Sequence, residues 1–374
     1  MKARLRKAVT AAMADDGRAP PFSLAAFLSA ASRLYGLAVH ARTARYRGGR
    51  SPVRRLPCKV ISIGNITVGG VGKTPMTQWL AARLRDAGHR VAVVSRGYGG
   101  GAEKRSGVVS DGRKMLMDPE MAGDEPYMTA ARLPGVPVLV GRDRCASGLR
   151  AVSRFDCGVV ILDDGFQHLK LERDLDLVLM DAARPLGNGR LLPRGPLREP
   201  PGALSRAHGI VLTRCDEARS VPAIVDRYAP GTPVFKSVHT PYPHLFLPAG
   251  RAPARFAETV TNPAETLSAL RGRRVMGFSG IARNDAFEKT LRRLAVGTVG
   301  FMGFSDHHRY AGADIRAVLK TAEDRSADLL ATTEKDWVRL ADRSPWPLDL
   351  LVLGVRFNPG GDGDDLFRLA ARAL

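Results

Sequence analysis

The chain has 374 residues, a length that predicts two globular units rather than one. Its hydrophobic content of 44% and charged content of 25% exclude a disordered or fibrous protein. The net charge of +20 indicates an affinity for anions such as nucleic acid, lipid headgroups or a phosphorylated substrate, although a basic, Arg-rich proteome gives the same balance.

An apolar stretch near the N-terminus, residues 22–42, has helical spacing. Arg33 and several serines interrupt it, so it falls short of the roughly 20 clean apolar residues that a spanning helix needs. Six arginines follow between Arg42 and Arg55. Two interpretations stay open here: an amphipathic helix on an anionic membrane surface, and a helix packed against the protein's own body.

From residue 58 onward, apolar runs alternate with helical stretches. Residues 58–65 predict a buried strand, 75–88 a helix that ends at Gly88, and 90–100 a second strand with a glycine-rich exit. Further apolar runs follow at 136–141, 158–165, 175–182 and 208–216. Short apolar runs of this kind are typical of a parallel sheet that is covered on both faces.

Composition suggests four regions along the chain. We predict an N-terminal arm with a membrane-associating helix over 1–50 and a nucleotide-binding lobe over 51–235. A connecting region rich in Pro, Ala and Thr covers 236–270, and a smaller α/β lobe covers 271–374. The expected fold class is therefore α/β, with a parallel sheet in the larger lobe.

The loop after the first predicted strand, TVGGVGKT, has the register of a Walker A loop, with Thr67 where the first glycine is usual. Backbone N–H groups of such a loop form a nest for phosphates, and the next helix adds positive potential. Lys73 is expected to reach the β- and γ-phosphates, and the Thr74 hydroxyl to hold Mg²⁺. The expected nucleotide-binding residues are Thr67, Val68, Gly69, Gly70, Val71, Gly72, Lys73 and Thr74. The alternative is a glycine-rich turn that contains Lys-Thr by chance, and the strand-loop-helix setting argues against it.

A second motif, VVILDDGFQH, ends an apolar run with two adjacent carboxylates, Asp163 and Asp164. The carboxyl edge of a parallel sheet is where open α/β folds place ligands, and a Walker-B-like carboxylate orders Mg²⁺ there. Gln167 and His168 are weaker candidates for the nucleotide site. A loop-capping Asp pair is the alternative.

Two further stretches carry ionisable groups. In AGDEPYM, Asp124 and Glu125 offer a base for an acceptor hydroxyl, although the stretch by itself favours a solvated helix cap. In FSDHHRY, Asp306, His307 and His308 suggest either a metal site or a histidine that assists a carboxylate base.

The stretch 188–200 is rich in Gly, Pro and Arg and shows no periodicity. Arg190, Arg194 and Arg198 offer forked donors for a phosphate clamp. A merely basic surface loop fits the same composition.

Seven stretches, in order along the chain, resemble motifs of the tetraacyldisaccharide 4'-kinases, the lipid A kinases of the Gram-negative envelope. They are GNITVGGVGKTP, SRGYGG, GDEP, DDGFQH, NGRLLPRGPLREP, FSDHH and TTEKD. The resemblance runs from about residue 25 to beyond residue 340. It implies ATP- and Mg²⁺-dependent phosphorylation of the 4'-hydroxyl of tetraacyldisaccharide 1-phosphate, which gives lipid IVA. It also implies a two-lobed, P-loop NTPase-like α/β fold held by an N-terminal helix to the cytoplasmic face of the inner membrane.

The resemblance also implies roles for single residues. Asp124 is similar to the family's general base, and His307 to a histidine paired with it from the second lobe. Lys73 matches the phosphate-binding lysine. Metal-associated positions are matched by Thr74, Asp163 and Asp164, and positions around the nucleotide or acceptor by Glu125, Gln167, His168 and Arg198. The chain departs from the family at Arg283-Asn284, where a Pro-bearing turn is usual, and in its first 20 residues, which have no counterpart.

The implied substrate favours one of the two interpretations of residues 22–42. An acylated disaccharide phosphate resides in a membrane, so we expect this helix to lie on an anionic membrane surface as a peripheral or monotopic anchor. A base on one lobe and its histidine on the other would couple the reaction to lobe closure. No obligate protein partner is evident.

Two other functions compete with the kinase. A P-loop ATPase acting as a switch or delivery factor would hydrolyse nucleotide without a lipid acceptor, and the lack of an N-K-x-D stretch argues against its GTPase form. A nucleic-acid-binding protein would interleave aromatic and basic residues, but aromatic residues make up 6% of the chain and the basic clusters contain few of them. We therefore expect no nucleic-acid partner.

Overall fold

The computed structural model describes residues 22–217, 223–251, 262–294, 297–343 and 345–374, together with residues 9, 11–13, 15, 17, 20 and 260. These residues form two units, each assembled from separate segments of the chain. Unit 1 combines the described residues up to Arg96 with Gly141–His239 and Phe357–Leu374. Unit 2 combines Gly97–Val140 with Thr240–Arg356.

Helices and strands alternate along most of the described chain. The helices are α1 Leu24–Arg47, α2 Lys73–Asp86, α3 Pro119–Ala122, α4 Asp124–Arg132, α5 Arg144–Phe155, α6 Ile224–Tyr228, α7 Pro263–Ala269, α8 Asn284–Arg293, α9 Gly312–Asp324, α10 Glu334–Leu340 and α11 Gly363–Ala371. The strands are β1 Lys59–Gly64, β2 Val91–Ser95, β3 Gly107–Ser110, β4 Val138–Val140, β5 Val159–Asp163, β6 Leu175–Asp181, β7 Gly209–Thr213, β8 Val234–Lys236, β9 Val238–Leu247, β10 Arg274–Ser279, β11 Gly297–Gly303, β12 Leu329–Thr333 and β13 Asp349–Asn358.

Unit 1 is built on a parallel sheet in the order β2-β5-β1-β6-β7-β8. The chain passes from β1 to β2 on one side and later to β6 on the other, so β1 is a topological switch point. In the register of β1 against β5, Ile63 lies opposite Asp163. The loop after β1 and the residues after β5 therefore meet at the same carboxyl edge.

The core of unit 1 explains why these runs form a parallel sheet. Ile61 and Ile63 of β1 have no exposed surface, and neither do Leu80 and Leu84 of α2, which packs on the sheet. A strand that is buried on both faces has a continuous apolar run in its sequence. The parallel α/β fold predicted from such runs is confirmed. The run at 136–141 differs from this pattern, because β4 pairs antiparallel with β3.

Unit 2 contains a second sheet in the order β11-β10-β12-β13-β9. β10 is parallel to both β11 and β12, and β12 is parallel to β13. The core includes Phe278, Trp337 and Trp346, and the rings of Phe278 and Trp346 lie 6.1 Å apart. Helix α10 follows β12 directly and brings Lys335 and Arg339 to the edge of this core.

The two units divide the chain differently from the four predicted regions. Residues 97–140 cluster with unit 2, where Arg132 at the end of α4 forms an ion pair with Glu334 of α10. Residues 357–374 cluster with unit 1, where Asp364 at the start of α11 pairs with Arg83 of α2. Parts of the predicted arm (within 1–21) and of the predicted connecting region (252–259 and 261) lie outside the described residues.

Helix α1 presents two different faces. Leu28 and Ser32 are buried, and the Ser32 hydroxyl donates to the Leu191 carbonyl at 2.8 Å. Phe27 and Leu34 are 70% exposed. Among the described residues, α1 is the one helix long and apolar enough to cross a membrane by length and composition, so the expectation that it falls short of that limit is corrected. Signal sequences and core helices pass the same test.

Two leucines on helices of unit 1 test the assignment of the core. Leu84 has no exposed surface, whereas Leu149 on α5 is 44% exposed. We expect Leu84→Ala to lower the free energy of unfolding by about 2–5 kcal/mol, because it leaves a cavity between α2 and the sheet. The matched control Leu149→Ala should change it by about 0.5 kcal/mol or less. Urea denaturation followed by circular dichroism measures both, and equal effects would contradict the core described here.

Candidate active site

The loop between β1 and α2 has the geometry of a phosphate-binding nest. Gly69 and Gly72 adopt left-handed backbone angles, with φ of 113° and 93°. A Cβ on Gly72 would lie 2.1 Å from Nε2 of His239, so position 72 requires glycine. The Val68 N–H donates to the Pro196 carbonyl at 2.7 Å, and Arg214 donates to the Gly70 carbonyl. The loop is thus held open by neighbours from two other segments of unit 1.

Lys73, Asp164 and Arg198 form one charged group beside this loop. The Lys73 ammonium lies 3.6 Å from Asp164 Oδ1, and Arg198 Nη1 donates to both Asp164 oxygens at 2.9 and 2.8 Å. Burial alone would raise the pKa of Asp164, but the charges of Lys73 and Arg198 outweigh it and hold the pKa below its usual value. Asp164 therefore stays ionised and fixes both cations, in a backbone conformation with φ of 60°.

The side-chain oxygens of Thr74 and Asp163 lie together at the start of α2, next to Lys73. The Thr74 hydroxyl donates to Asp163 Oδ2 at 3.0 Å, and Thr77 donates to Oδ1 at 3.4 Å. Asp163 is 4% exposed at the end of β5. A buried carboxylate and a hydroxyl are hard donors of the kind that Mg²⁺ prefers, so this pair fits the cation. The third predicted metal residue, Asp164, is held instead by its two cations.

Gln167 and His168 follow the carboxylates but have different surroundings. Gln167 Nε2 donates to the Asn65 carbonyl and to Glu199 Oε1, both at 2.9 Å, and so supports the start of the phosphate loop. The His168 ring lies in the field of Arg144, and burial together with that charge lowers its pKa to about 4. His168 is therefore neutral at physiological pH.

A second cluster, in unit 2, brings together Asp124, His307 and Arg339. His307 Nδ1 lies 2.9 Å from Asp124 Oδ2, and Arg339 donates to the same carboxylate. Burial alone would raise the pKa of Asp124, but hydrogen bonds from His307 and Arg339 hold it well below its usual range. His307 is a non-glycine residue with φ of 57°, a strained conformation that points to a functional constraint.

Lys335 completes this cluster from the other side of the imidazole. Its ammonium lies 3.1 Å from His307 Nε2, 3.2 Å from Glu125 Oε1 and 3.5 Å from Asp306 Oδ1. Burial would lower the pKa of Lys335, but Glu125 and Asp306 outweigh it and raise the pKa. The lysine is therefore charged and faces the ring nitrogen that Asp124 does not occupy.

The resemblance implied that Asp124 and His307 lie on different lobes. In the structure both residues belong to unit 2, and their hydrogen bond lies within that unit. Sequence reasoning also missed Lys335 and Arg339. The helix that begins within TTEKD contained a signal, because Lys335 and Arg339 are four residues apart and such residues share one face of a helix.

Comparison with known proteins identifies the family. The model of the tetraacyldisaccharide-1-P 4'-kinases (LpxK) matches residues 24–371. This chain belongs to that family. The tetraacyldisaccharide 4'-kinase of Syntrophus aciditrophicus is 43% identical over 318 residues, which cover 82% of each chain. The corresponding kinase of Geobacter sulfurreducens is 43% identical over 321 residues, covering 85% of each.

A solved structure extends the similarity to three dimensions. The crystal structure of LpxK from Aquifex aeolicus in complex with ATP superposes with a TM-score of 0.73 at 32% identity. The match covers 94% of this chain and 99% of that one. The P-loop NTPase-like α/β fold expected from the motifs is thereby confirmed.

The ionised state of Asp124 predicts a pH-dependent contribution to stability. A carboxylate whose pKa is lowered by folding stabilises the protein above its unfolded-state pKa of about 3.9 and loses that effect as pH falls further. We expect Asp124→Asn to lower the melting temperature at pH 7, and the difference from wild type to narrow below about pH 4. Calorimetry across this range measures it. A difference that is constant with pH would contradict the ionised pair.

Proposed function

We propose that this protein is an ATP-dependent kinase that transfers the γ-phosphate of ATP to the 4'-hydroxyl of tetraacyldisaccharide 1-phosphate, forming lipid IVA in lipid A biosynthesis. One observation supports the proposal above all: the chain belongs to a kinase family and has a phosphate loop that leads directly into a helix beginning with Lys73 and Thr74. The named relatives are tetraacyldisaccharide 4'-kinases, and the Aquifex relative was solved with ATP.

The groups of unit 1 have distinct tasks in this reaction. Residues 67–74 wrap the phosphates, and Lys73 neutralises charge on the β- and γ-oxygens. Thr74 and Asp163 are the proposed ligands of Mg²⁺, which supplies further charge neutralisation when bound. Arg198 is fixed by Asp164 within 2.9 Å and presents its remaining donors to a phosphate or to the acceptor.

The groups of unit 2 handle the acceptor. Asp124 takes the proton of the 4'-hydroxyl as the new O–P bond forms and the bond from the γ-phosphorus to the bridging oxygen of ADP breaks. A weak base suffices, because phosphoryl transfer has a loose transition state in which the attacking oxygen carries little charge. His307 and Arg339 hold Asp124 in position. Glu125, paired with Lys335, is the proposed contact for the sugar.

The lipid acceptor requires access to a membrane. Helix α1 exposes Phe27, Leu34 and Leu37, and basic side chains follow at its end. An apolar face with a basic flank suits an anionic membrane surface. We propose peripheral or monotopic association with the cytoplasmic face of the inner membrane, where ATP is present.

The first test is transfer of labelled γ-phosphate from Mg-ATP to tetraacyldisaccharide 1-phosphate in detergent. We expect labelled lipid from the wild type and a loss of at least about 100-fold with Lys73→Ala, since transition-state charge is no longer neutralised. The control Lys59→Ala removes a lysine that also pairs with an aspartate in unit 1, Asp174 at 3.2 Å, and should retain activity. ATP hydrolysis without labelled lipid would leave a P-loop ATPase and reject the kinase.

A double-mutant comparison tests the base. Asp124→Ala and His307→Ala should each lower kcat by about 100- to 10,000-fold, as expected for loss of general-base catalysis. The double variant should be little worse than either single one, because residues that act as a unit are not additive. His308→Gln is the control, since His308 pairs with Asp314 at 3.0 Å instead. An unchanged kcat in His307→Ala beside an inactive Asp124→Ala would refute the pairing.

A further inference from the structure

A cavity of about 570 Å³ lies in unit 1 at the C-terminal end of α1. Ala38, Ala41 and Arg45 of α1 form one wall, and Arg54 and Lys170 contribute to the others. None of the residues assigned above to nucleotide, metal or acceptor lines it. The cavity is therefore distinct from the phosphate loop and from the Asp124 cluster, although its lining residues Asp143 and Cys145 lie close to His168.

The basic side chains that line the cavity outnumber the acidic ones, so the lining has a net positive charge. Asp143 is the acidic member, and it accepts N–H bonds from Cys145 and Ala146 at 2.9 and 3.2 Å, which cap α5. Arg45, Arg54 and Lys170 form no ion pair with a carboxylate in the part of the chain that the structure describes. With Arg42, which also lines the space, four exposed cations surround it and make a site for an anion.

A cation does not fit the same place. Ligand atoms of Asp143, Cys145 and His168 lie within 4.8 Å of one another, a spacing that a metal ion could bridge. However, burial and the charges of Arg144 and Arg42 already lower the pKa of His168 to about 4. The same surroundings that disfavour a proton on this ring disfavour a metal ion beside it.

The cavity continues an apolar stripe on α1. At about 100° per residue, Phe27, Leu34, Ala38, Ala41 and Arg45 fall within about 60° of one another around the helix axis. Phe27 and Leu34 are 70% exposed, so the stripe is apolar and uncovered until it reaches the basic cavity. A matching ligand has an anionic head and an apolar tail.

We propose that this cavity binds the phosphodiester headgroup of an anionic glycerophospholipid, with its acyl chains along the stripe of α1. Arg45 and Arg54 offer forked donors for two phosphate oxygens, and Lys170 a third charge. The lipid is a constituent of the membrane, not the acceptor of the kinase. The proposal rests on the membrane association proposed above, but not on the phosphoryl transfer.

Calorimetric titration of the full chain with short-chain lipids below their micellar concentration tests this, without nucleotide or acceptor. The probes are dihexanoyl phosphatidylglycerol, dihexanoyl phosphatidylcholine and inorganic phosphate. We expect saturable binding of the phosphatidylglycerol, and at least tenfold weaker binding of the other two. Arg45→Gln/Arg54→Gln should weaken binding of the phosphatidylglycerol at least tenfold.

Two further variants separate a site from general surface charge. Arg33→Gln/Arg50→Gln removes two exposed arginines of the same arm that do not line the cavity, and should change the affinity less than twofold. Lys170 lines the cavity from another segment of the chain, so Lys170→Gln should also weaken binding. This single variant still tests the site if the double variant misfolds. A circular dichroism melt of each variant checks folding.

Four results would overturn the proposal. Equal losses in the two double variants would indicate surface charge alone, and equal affinity for phosphatidylcholine would remove the need for a negative head. Inorganic phosphate bound as tightly as the lipid would leave a free-phosphate site. A raised KM for the acceptor in Arg45→Gln/Arg54→Gln, measured without added phospholipid, would assign the cavity to the acceptor's own phosphate. A negative titration leaves the kinase assay unaffected, so the two proposals fail separately.

Discussion

The hydrogen bond between Thr74 and Asp163 joins the two elements on which the nucleotide site of unit 1 depends. It links the first turn of α2 to the end of β5, and β5 lies beside β1 in a parallel register. A buried carboxylate must find partners, so this bond and the one from Thr77 fix where α2 begins relative to the sheet. The left-handed Gly72 then lets the loop turn into that helix with Lys73 at its first position.

The two charged clusters follow a common physical rule, although they lie in different units. In each, a carboxylate that burial would neutralise is kept ionised by two neighbouring groups: Lys73 and Arg198 around Asp164, His307 and Arg339 around Asp124. Asp164 and His307 also hold left-handed backbone angles. The strained backbone at both residues is held by their partners. This indicates that the groups are in position before a substrate binds. Phosphoryl transfer depends on such positioning more than on covalent chemistry.

Sequence reasoning succeeded where the signal was local. The phosphate loop, the Asp163-Asp164 pair and the buried strands each depend on neighbours within a few residues, and the structure has them at the predicted positions. It failed where the determinant was distant: Arg132 and Glu334 are 202 residues apart, and their ion pair helps place 97–140 in unit 2. The helical spacing of Lys335 and Arg339 puts both on one face, but the sequence does not show that this face of α10 meets Asp124 and His307. The roles of these residues as base, metal ligand or acceptor contact stay predictions.

The sequence left two interpretations of helix α1 open: a helix on a membrane surface, and a helix packed against the protein's own body. In the structure, one side of the helix is exposed and the other packs against the protein. The exposed side carries Phe27, Leu34 and Leu37, whereas the other face is hydrogen-bonded to the rest of unit 1. Tyr35 donates its hydroxyl to the Arg198 carbonyl at 2.9 Å, Arg198 holds Asp164, and Asp164 pairs with Lys73. Burial raises the pKa of the Tyr35 hydroxyl, which keeps it a donor at physiological pH. A chain of direct contacts thus runs from helix α1 to Lys73. Helix α1 is therefore a structural part of unit 1, and a change in its orientation would reach the loop between β1 and α2 through these contacts.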